Sequence, residues 1–260
     1  MEGVLGRRDP PAADLPSPPD HPLLHGATLR PSGEAAVTVE FGDTIDPTLQ
    51  AGARTLGAAL MQAAPAGLIE ALATYRSVLV EFDPDVTDAA TILGALPRGG
   101  SEAAMAEPRR FVVPVCLDDE VAEDIAEVAG LLDMPVEALR ERLVASTLTV
   151  GMYGFAPGFA YLSGLDPALH VPRRRAPRSP VALGTLIMAA GQAAIVPATM
   201  PTGWYAVGRA AARMFDPARV ARGEPPVPFV PGDVVTFEHV DAATLRGLAA
   251  DPAGGRRDVT

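Results

Sequence analysis

Between about residue 147 and residue 240 the chain is cut into short apolar runs, at 148–153, 184–189, 193–196, 204–207 and 234–239, separated by turns rich in glycine and proline. Such breaks leave too little room for helices, but they suit strands of roughly four to eight residues. Evenly punctuated short strands predict a closed barrel or a sandwich. Pro231 and Gly232 can fill the central positions of a type II turn leading into the last run.

The residues before this region follow a different pattern. Val37, Val39 and Phe41 alternate with polar neighbours, as a half-buried strand requires. Asp46 and Pro47 then read as an N-cap and a first helical residue, with Leu49, Ala53, Leu56 and Leu60 forming the buried stripe of a helix. Strand-like runs at 68–74 and 77–82 and a helical pattern over 87–96 complete a β-α-β-β-α order, which predicts a small two-layer α/β domain over 33–97. Seven prolines before residue 32 predict a disordered Pro-rich arm over 1–32, in which His21 and His25 are solvated.

Gly, Pro and small polar residues predict a linker over 98–110. A barrel domain over 111–242 follows, opening with the apolar run 111–117. Val121, Ile125, Val128 and Leu132 keep helical spacing, and a second helix starts at Pro135 and runs through Leu139 and Leu143. The acids of this pair, among them Glu123, Asp124 and Glu127, predict a solvated face. Residues 243–260 read as a short helix and tail. The fold class is thus α+β: a small α/β domain followed by a β-barrel domain.

Composition narrows the chemistry. All 21 basic residues are arginine. Without lysine the chain cannot form a Schiff base, carry biotin or serve as a standard Walker A nucleotidase. Cys116 is the only cysteine, which excludes an internal disulfide, and no metal site is expected. A net charge of −11 argues against a nucleic-acid surface. No apolar run is long enough for a signal peptide or a membrane helix, so a cytoplasmic protein is expected.

Four segments could hold a ligand. In 154–167, Phe155 and Phe159 flank the Pro157-Gly158 turn, which can expose backbone amides while Tyr161 adds an apolar wall; a packed barrel corner would read the same way. Residues 172–178 hold Arg173, Arg174, Arg175 and Arg178, whose forks suit a carboxylate or phosphate, although a loop paired with the protein's own acids is the alternative. Gln192 follows Gly191 between two strand-like runs and could contact an amide. Trp204, the only tryptophan, follows a turn at 201–203 and could be either core or ligand wall. His170 and His239 are linked to no serine or acid by any motif.

These motifs occur in a familiar order. Gly154-Phe-x-Pro-Gly-Phe-x-Tyr-Leu, Gly-Leu-Asp-Pro at 164–167, Pro-Arg at 172–173 and 177–178, Gly-Gln at 191–192, Gly-Trp at 203–204, Gly-Arg at 208–209, Phe-Asp-Pro at 215–217 and Pro-Gly-Asp at 231–233 resemble the KipI family. This is the family of the 5-oxoprolinase B component, also called allophanate hydrolase subunit 1 or carboxyltransferase subdomain C. Val-Glu-Phe-Gly-Asp at 39–43, Ile-Asp-Pro at 45–47 and Phe-Asp-Pro at 82–84 extend the resemblance to roughly 33–240.

The resemblance implies a cyclophilin-like barrel and a non-autonomous subunit of an ATP-dependent 5-oxoproline amidohydrolase or carboxyltransferase-type complex. Its partners would be a homologous KipA-type chain, the C component of 5-oxoprolinase, and a LamB/YcsF-type chain, the A component. ATP would act at the level of the complex, and any biotin would sit on another chain. Phe155, Pro157, Gly158, Tyr161, Arg173, Arg178, Gln192 and Trp204 would line the site, with no catalytic residue assigned. The chain departs from the family pattern at Leu143, where a histidine is usual, at Ala193 and Val196, which are usually Thr and Tyr, and at Thr202, which is usually Gly. The alternatives are a KipI-like regulatory module inhibiting a histidine kinase and a repurposed paralogue acting on another urea-like or lactam substrate.

Overall fold

A computed structural model describes residues 17–97, 107–176 and 178–259. The chain divides into two compact units, Met1–Ala106 and Glu107–Thr260, each with its own apolar core.

The first unit contains β1 (Ala27–Pro31), β2 (Ala36–Phe41), α1 (Pro47–Ala63), β3 (Leu68–Ala73), β4 (Ser77–Phe82) and α2 (Ala89–Gly94). The strands form one antiparallel sheet in the order β1-β2-β4-β3. Val37, Val39 and Phe41 of β2 and Val78, Val80 and Phe82 of β4 present one face to Ala53, Leu56 and Leu60 of α1, as the period-two and helical spacings require. Asp46 caps α1 through the amides of Thr48 and Leu49, and Pro47 stands where no amide partner is needed.

The Pro-rich arm needs correction from residue 17 onward. A short 3₁₀ turn at Pro22–Leu24 buries Leu24, and β1 pairs with β2 from Ala27↔Phe41 to Pro31↔Val37. Proline is tolerated there because β1 is an edge strand and Pro31 is its last residue. His21 is not simply solvated: its Nδ1 accepts the Leu23 amide at 3.2 Å, and Nε2 lies 3.1 Å from the Pro97 carbonyl oxygen. The first 16 residues of the expected arm, and 98–106 of the expected linker, lie outside the described residues.

The second unit contains β5 (Arg110–Cys116), α3 (Ile125–Leu131), α4 (Val136–Ala145), β6 (Thr147–Tyr153), β7 (Ala160–Ser163), β8 (Arg178–Val181), β9 (Thr185–Ala189), β10 (Gln192–Ile195), β11 (Met200–Thr202), β12 (Tyr205–Ala210), β13 (Val234–His239), α5 (Ala242–Leu248) and β14 (Arg257–Asp258). The order β12-β9-β10-β7-β6-β13-β5 closes on itself through β12–β5 pairing, so seven strands make a barrel. The β13–β5 pair is parallel and the others are antiparallel.

Two features differ from the sequence reading. The tail does not simply trail away: β12 covers β5 only at Val115 and Cys116, and β14 pairs with Phe111 and Val112 on the same edge. The tail therefore covers backbone groups that barrel closure leaves open. The helix expected from Val121 begins only at Ile125, because Asp124 is tied to β12: its amide donates to the Ala206 carbonyl at 2.8 Å, and its carboxylate accepts the Ala206 amide at 2.7 Å. Asp124 is buried and does not belong to a solvated acidic face.

The barrel strands bury both faces where the site lies. Leu186 and Met188 of β9, Ala193 and Ile195 of β10, and Tyr205 and Val207 of β12 point into the barrel. Ile187, Ala189, Ala194, Val196 and Ala206 point outward and are covered by Phe159, Val181 and Trp204, with Met200 packed against them. The two-stranded β8–β11 ribbon carries Val181 and Met200 over this outer face. No helix among the described residues is long and apolar enough to cross a membrane.

Candidate functional site

The loop between β6 and β7 is closed by its own backbone. The Ala156 amide donates to the Gly154 carbonyl at 2.8 Å, the Phe159 amide to the Ala156 carbonyl at 3.0 Å, and the Gly154 amide to the Phe159 carbonyl at 3.2 Å. This tight turn needs left-handed backbone at Phe155 (φ +69°) and Gly158 (φ +80°). Gly158 has no substitute, since a Cβ there would lie 2.6 Å from the Met214 carbonyl oxygen and from the Phe215 Cβ. Phe155 bears a conformational cost of about 1–2 kcal/mol for a non-glycine residue in this region, and the residue is 75% exposed.

From that loop an aromatic cluster runs back to β12. Phe155 meets Phe159 edge-on at 5.5 Å between centroids, Phe159 meets Tyr161 at 4.9 Å and Trp204 at 6.1 Å, and Tyr161 lies 5.9 Å from Trp204. The Arg173 guanidinium sits over the Trp204 ring, 5.8 Å from its centroid. These residues, with Pro201, Thr202 and Gly203, line a cavity of about 330 Å³. Arg173 is the one side chain charged at neutral pH among them. A flat apolar ring bearing one negative charge suits these walls, stacking on the aromatics while its anion meets the guanidinium.

The predicted residues separate into two groups. Phe155, Tyr161, Arg173 and Trp204 come together at the cavity, and Phe159 joins them with Pro201 and Thr202 of β11 and Gly203 beyond it. Arg178 does not, because it donates to Asp124 and Glu123. The arginine-rich segment bends at Arg175 and Ala176, and its guanidinium groups meet different partners: Arg173 lies over Trp204, Arg174 pairs with Glu127 and Arg178 with Asp124. Arg174 pairs with Glu127 at 2.8 Å and lies over the Tyr205 ring, and its amide donates to the Gly203 carbonyl at 2.9 Å, which sets the wall of the cavity.

Gln192 is buried in β10 opposite Ala189 and Ser163, and it does not line the cavity. Of the amides offered by the Pro157-Gly158 turn, those of Ala156 and Phe159 are committed within the loop. Three of the departures from the family pattern are buried apolar contacts: Leu143 and Ala193 in the barrel core, and Val196 beneath Phe159 and Trp204. Neither His170 nor His239 lines the cavity; His239 Nε2 lies 3.2 Å from Asp118. Cys116 is buried, and desolvation pushes its thiol up, so it supplies no ready nucleophile. Pro201 and Thr202, expected in a turn before Trp204, instead lie in β11, and nothing in the sequence marks them as one wall of a cavity whose other wall, at Phe155, Phe159 and Tyr161, lies far back in the chain.

Comparison with known proteins identifies the family. The family model for the carboxyltransferase domain, subdomain C and D, matches residues 27–226, starting at the first residue of β1. The 5-oxoprolinase B component of Bacillus subtilis is 27% identical, over 80% of this chain and 90% of that protein. The 5-oxoprolinase B component of Escherichia coli O157:H7 is 30% identical, over 79% of this chain and 92% of that protein. Among solved structures, TTHA0988 superposes with a TM-score of 0.67 at 30% identity, over 80% of this chain and 40% of the longer TTHA0988 chain. The Kluyveromyces lactis urea carboxylase has the same fold at 20% identity (TM-score 0.69), over 90% of this chain and 24% of that one.

Proposed function

The chain belongs to the carboxyltransferase subdomain C and D family, together with the B component of 5-oxoprolinase, and on that premise we propose that it is the corresponding member of a heteromeric, ATP-dependent complex that opens 5-oxoproline or a closely related lactam. The observation that carries this reading is the cavity itself: aromatic walls of about 330 Å³ with a single guanidinium at the edge. 5-Oxoproline is a small flat lactam with one carboxylate. Its ring would stack against Trp204 and Phe159, and its carboxylate would pair with Arg173.

The same lining explains why the chain would act as part of a complex. Ring opening adds water across the lactam C–N bond and needs groups that move protons, yet among the described residues the cavity lining presents neither imidazole nor carboxylate. A homologous KipA-type chain would supply them, and a LamB/YcsF-type chain would complete the assembly, with ATP hydrolysed by the complex. The exposed Phe155 at the cavity mouth is the natural contact for such a partner. If carboxyl transfer is the reaction instead, biotin must arrive on another chain, because this one has no lysine.

Co-expression with the KipA-type and LamB/YcsF-type chains, followed by an assay for ATP-dependent glutamate release from 5-oxoproline, tests the reading. Release is expected, and Arg173→Gln should raise KM for 5-oxoproline by roughly tenfold or more, the value of a charge-assisted hydrogen bond. A well-formed complex that releases no glutamate would remove the assignment.

A further inference from the structure

The second concentration of arginine lies outside the aromatic cavity. Arg213, Arg219, Arg222 and Arg256 line a separate cavity of about 290 Å³ together with Asp216 and Glu224. Arg219 and Arg222 are matched internally: each lies 3.1 Å from Glu224, and Arg222 lies 3.9 Å from Asp216. Among the described residues, neither Arg213 nor Arg256 forms an ion pair or hydrogen bond with a carboxylate. Two of the four guanidinium groups therefore line the cavity without a carboxylate in direct contact, Asp251 acting on Arg256 only at longer range.

Arg256 is held firmly in that position. Its guanidinium lies 5.9 Å from the Phe111 centroid and 5.8 Å from that of Phe229. Burial, then the like charges of Arg219 and Arg109, push its pKa down, with Asp251 offsetting part of the effect. The surrounding backbone is braced as well: the Arg213 amide donates to Pro252 at 3.0 Å and the Asp216 amide to Pro226 at 2.8 Å. A preformed group of like charges costs free energy unless an anion joins it.

We propose that this cavity binds a phosphate group, as the free ion or as a small phosphomonoester. The charge count selects phosphate over a monocarboxylate. Two unmatched guanidinium groups call for about two negative charges, and a phosphomonoester carries roughly −1.5 to −2 near neutral pH with three oxygens for the two forks. Arg213 also lines the adjoining cavity of about 620 Å³, between β12 and α5 with Leu183 and Leu245 among its walls. That larger space can hold the organic part of a phosphomonoester.

The test is calorimetric titration of the full chain with inorganic phosphate, adenosine monophosphate and malonate, at low and high salt. Phosphate should bind with an affinity that falls as salt rises, and Arg213→Gln and Arg256→Gln should each weaken it about tenfold or more. Arg213 is exposed, so its variant keeps the test open should Arg256→Gln unfold. Tighter binding of the nucleotide than of phosphate supports the site with an ester occupying the larger cavity, and equal affinity supports it for the ion alone. Absence of phosphate binding, binding of malonate only, or an undiminished phosphate affinity in folded Arg213→Gln overturns the proposal. So does loss of phosphate affinity in Arg173→Gln, which would place the anion in the aromatic cavity. Neither result depends on whether the complex opens 5-oxoproline.

Discussion

Arg178 donates to Asp124 and Glu123 and keeps only 17% of its side chain exposed, whereas Arg173 stays at the surface over Trp204. The two share residue type and sequence neighbourhood, and what separates them is the surroundings each side chain meets, the Trp204 ring for Arg173 and the Asp124 and Glu123 carboxylates for Arg178. Replacing Arg178 with alanine would leave the Asp124 carboxylate, 10% exposed, with the Ala206 amide at 2.7 Å and Arg174 at 3.7 Å as its remaining partners. Loss of one charged hydrogen-bond partner costs about 1.5–3 kcal/mol. Thermal melting of Arg178→Ala should therefore show a drop of several degrees, while the affinity of the aromatic cavity for 5-oxoproline in the assembled complex changes far less than in Arg173→Gln. An equal effect of both variants on substrate affinity would return Arg178 to the site.

The helix starts at Asp46, Asp88 and Asp241 share one device, a carboxylate that accepts an amide at the first turn: Thr48, Thr91 and Thr244 respectively, each at 2.7 Å. These backbone hydrogen bonds hold all three carboxyls below their ordinary range. A folded pKa below the unfolded value of about 3.9 means that this stabilisation is complete above about pH 4 and is lost as the pH falls through the folded pKa. Melting temperature should decline on acidification below about pH 4. Asp46→Ala should lower it at neutral pH and flatten the acid decline; an acid profile identical to that of the unaltered chain would show that the cap contributes nothing. The Asp-Pro pair at 46–47 and the apolar spacing behind it made α1 legible in the sequence, as alternation did for β2 and a strand-like run for β4. The edge strands β1 and β14 were not legible, because their order comes from backbone ladders with β2 and β5, and a ladder leaves almost no trace in the side chains of a short exposed strand.

At the scale of the molecule, the two units hold separate cores, one built on Leu56, Leu60 and Val80, the other on Val113, Leu148 and Leu186. Scanning calorimetry should resolve two transitions, and removal of residues 251–260 should lower only the barrel's transition, since β14 covers β5 and the Arg256 guanidinium lies over Phe111 and Phe229. A single transition unaffected by that truncation would refute both expectations. The sequence by itself determined the α+β class, the region of short strands and the exclusion of lysine chemistry, because periodicity, turn composition and missing residue types are local properties of the chain. Only the tertiary structure decided that Arg178 serves Asp124 and Gln192 the barrel wall, and that Arg213 and Arg256 converge on a cavity separate from the aromatic one. Those assignments depend on which distant segments share a surface, and closure of the barrel brings together residues that lie tens of positions apart in the chain.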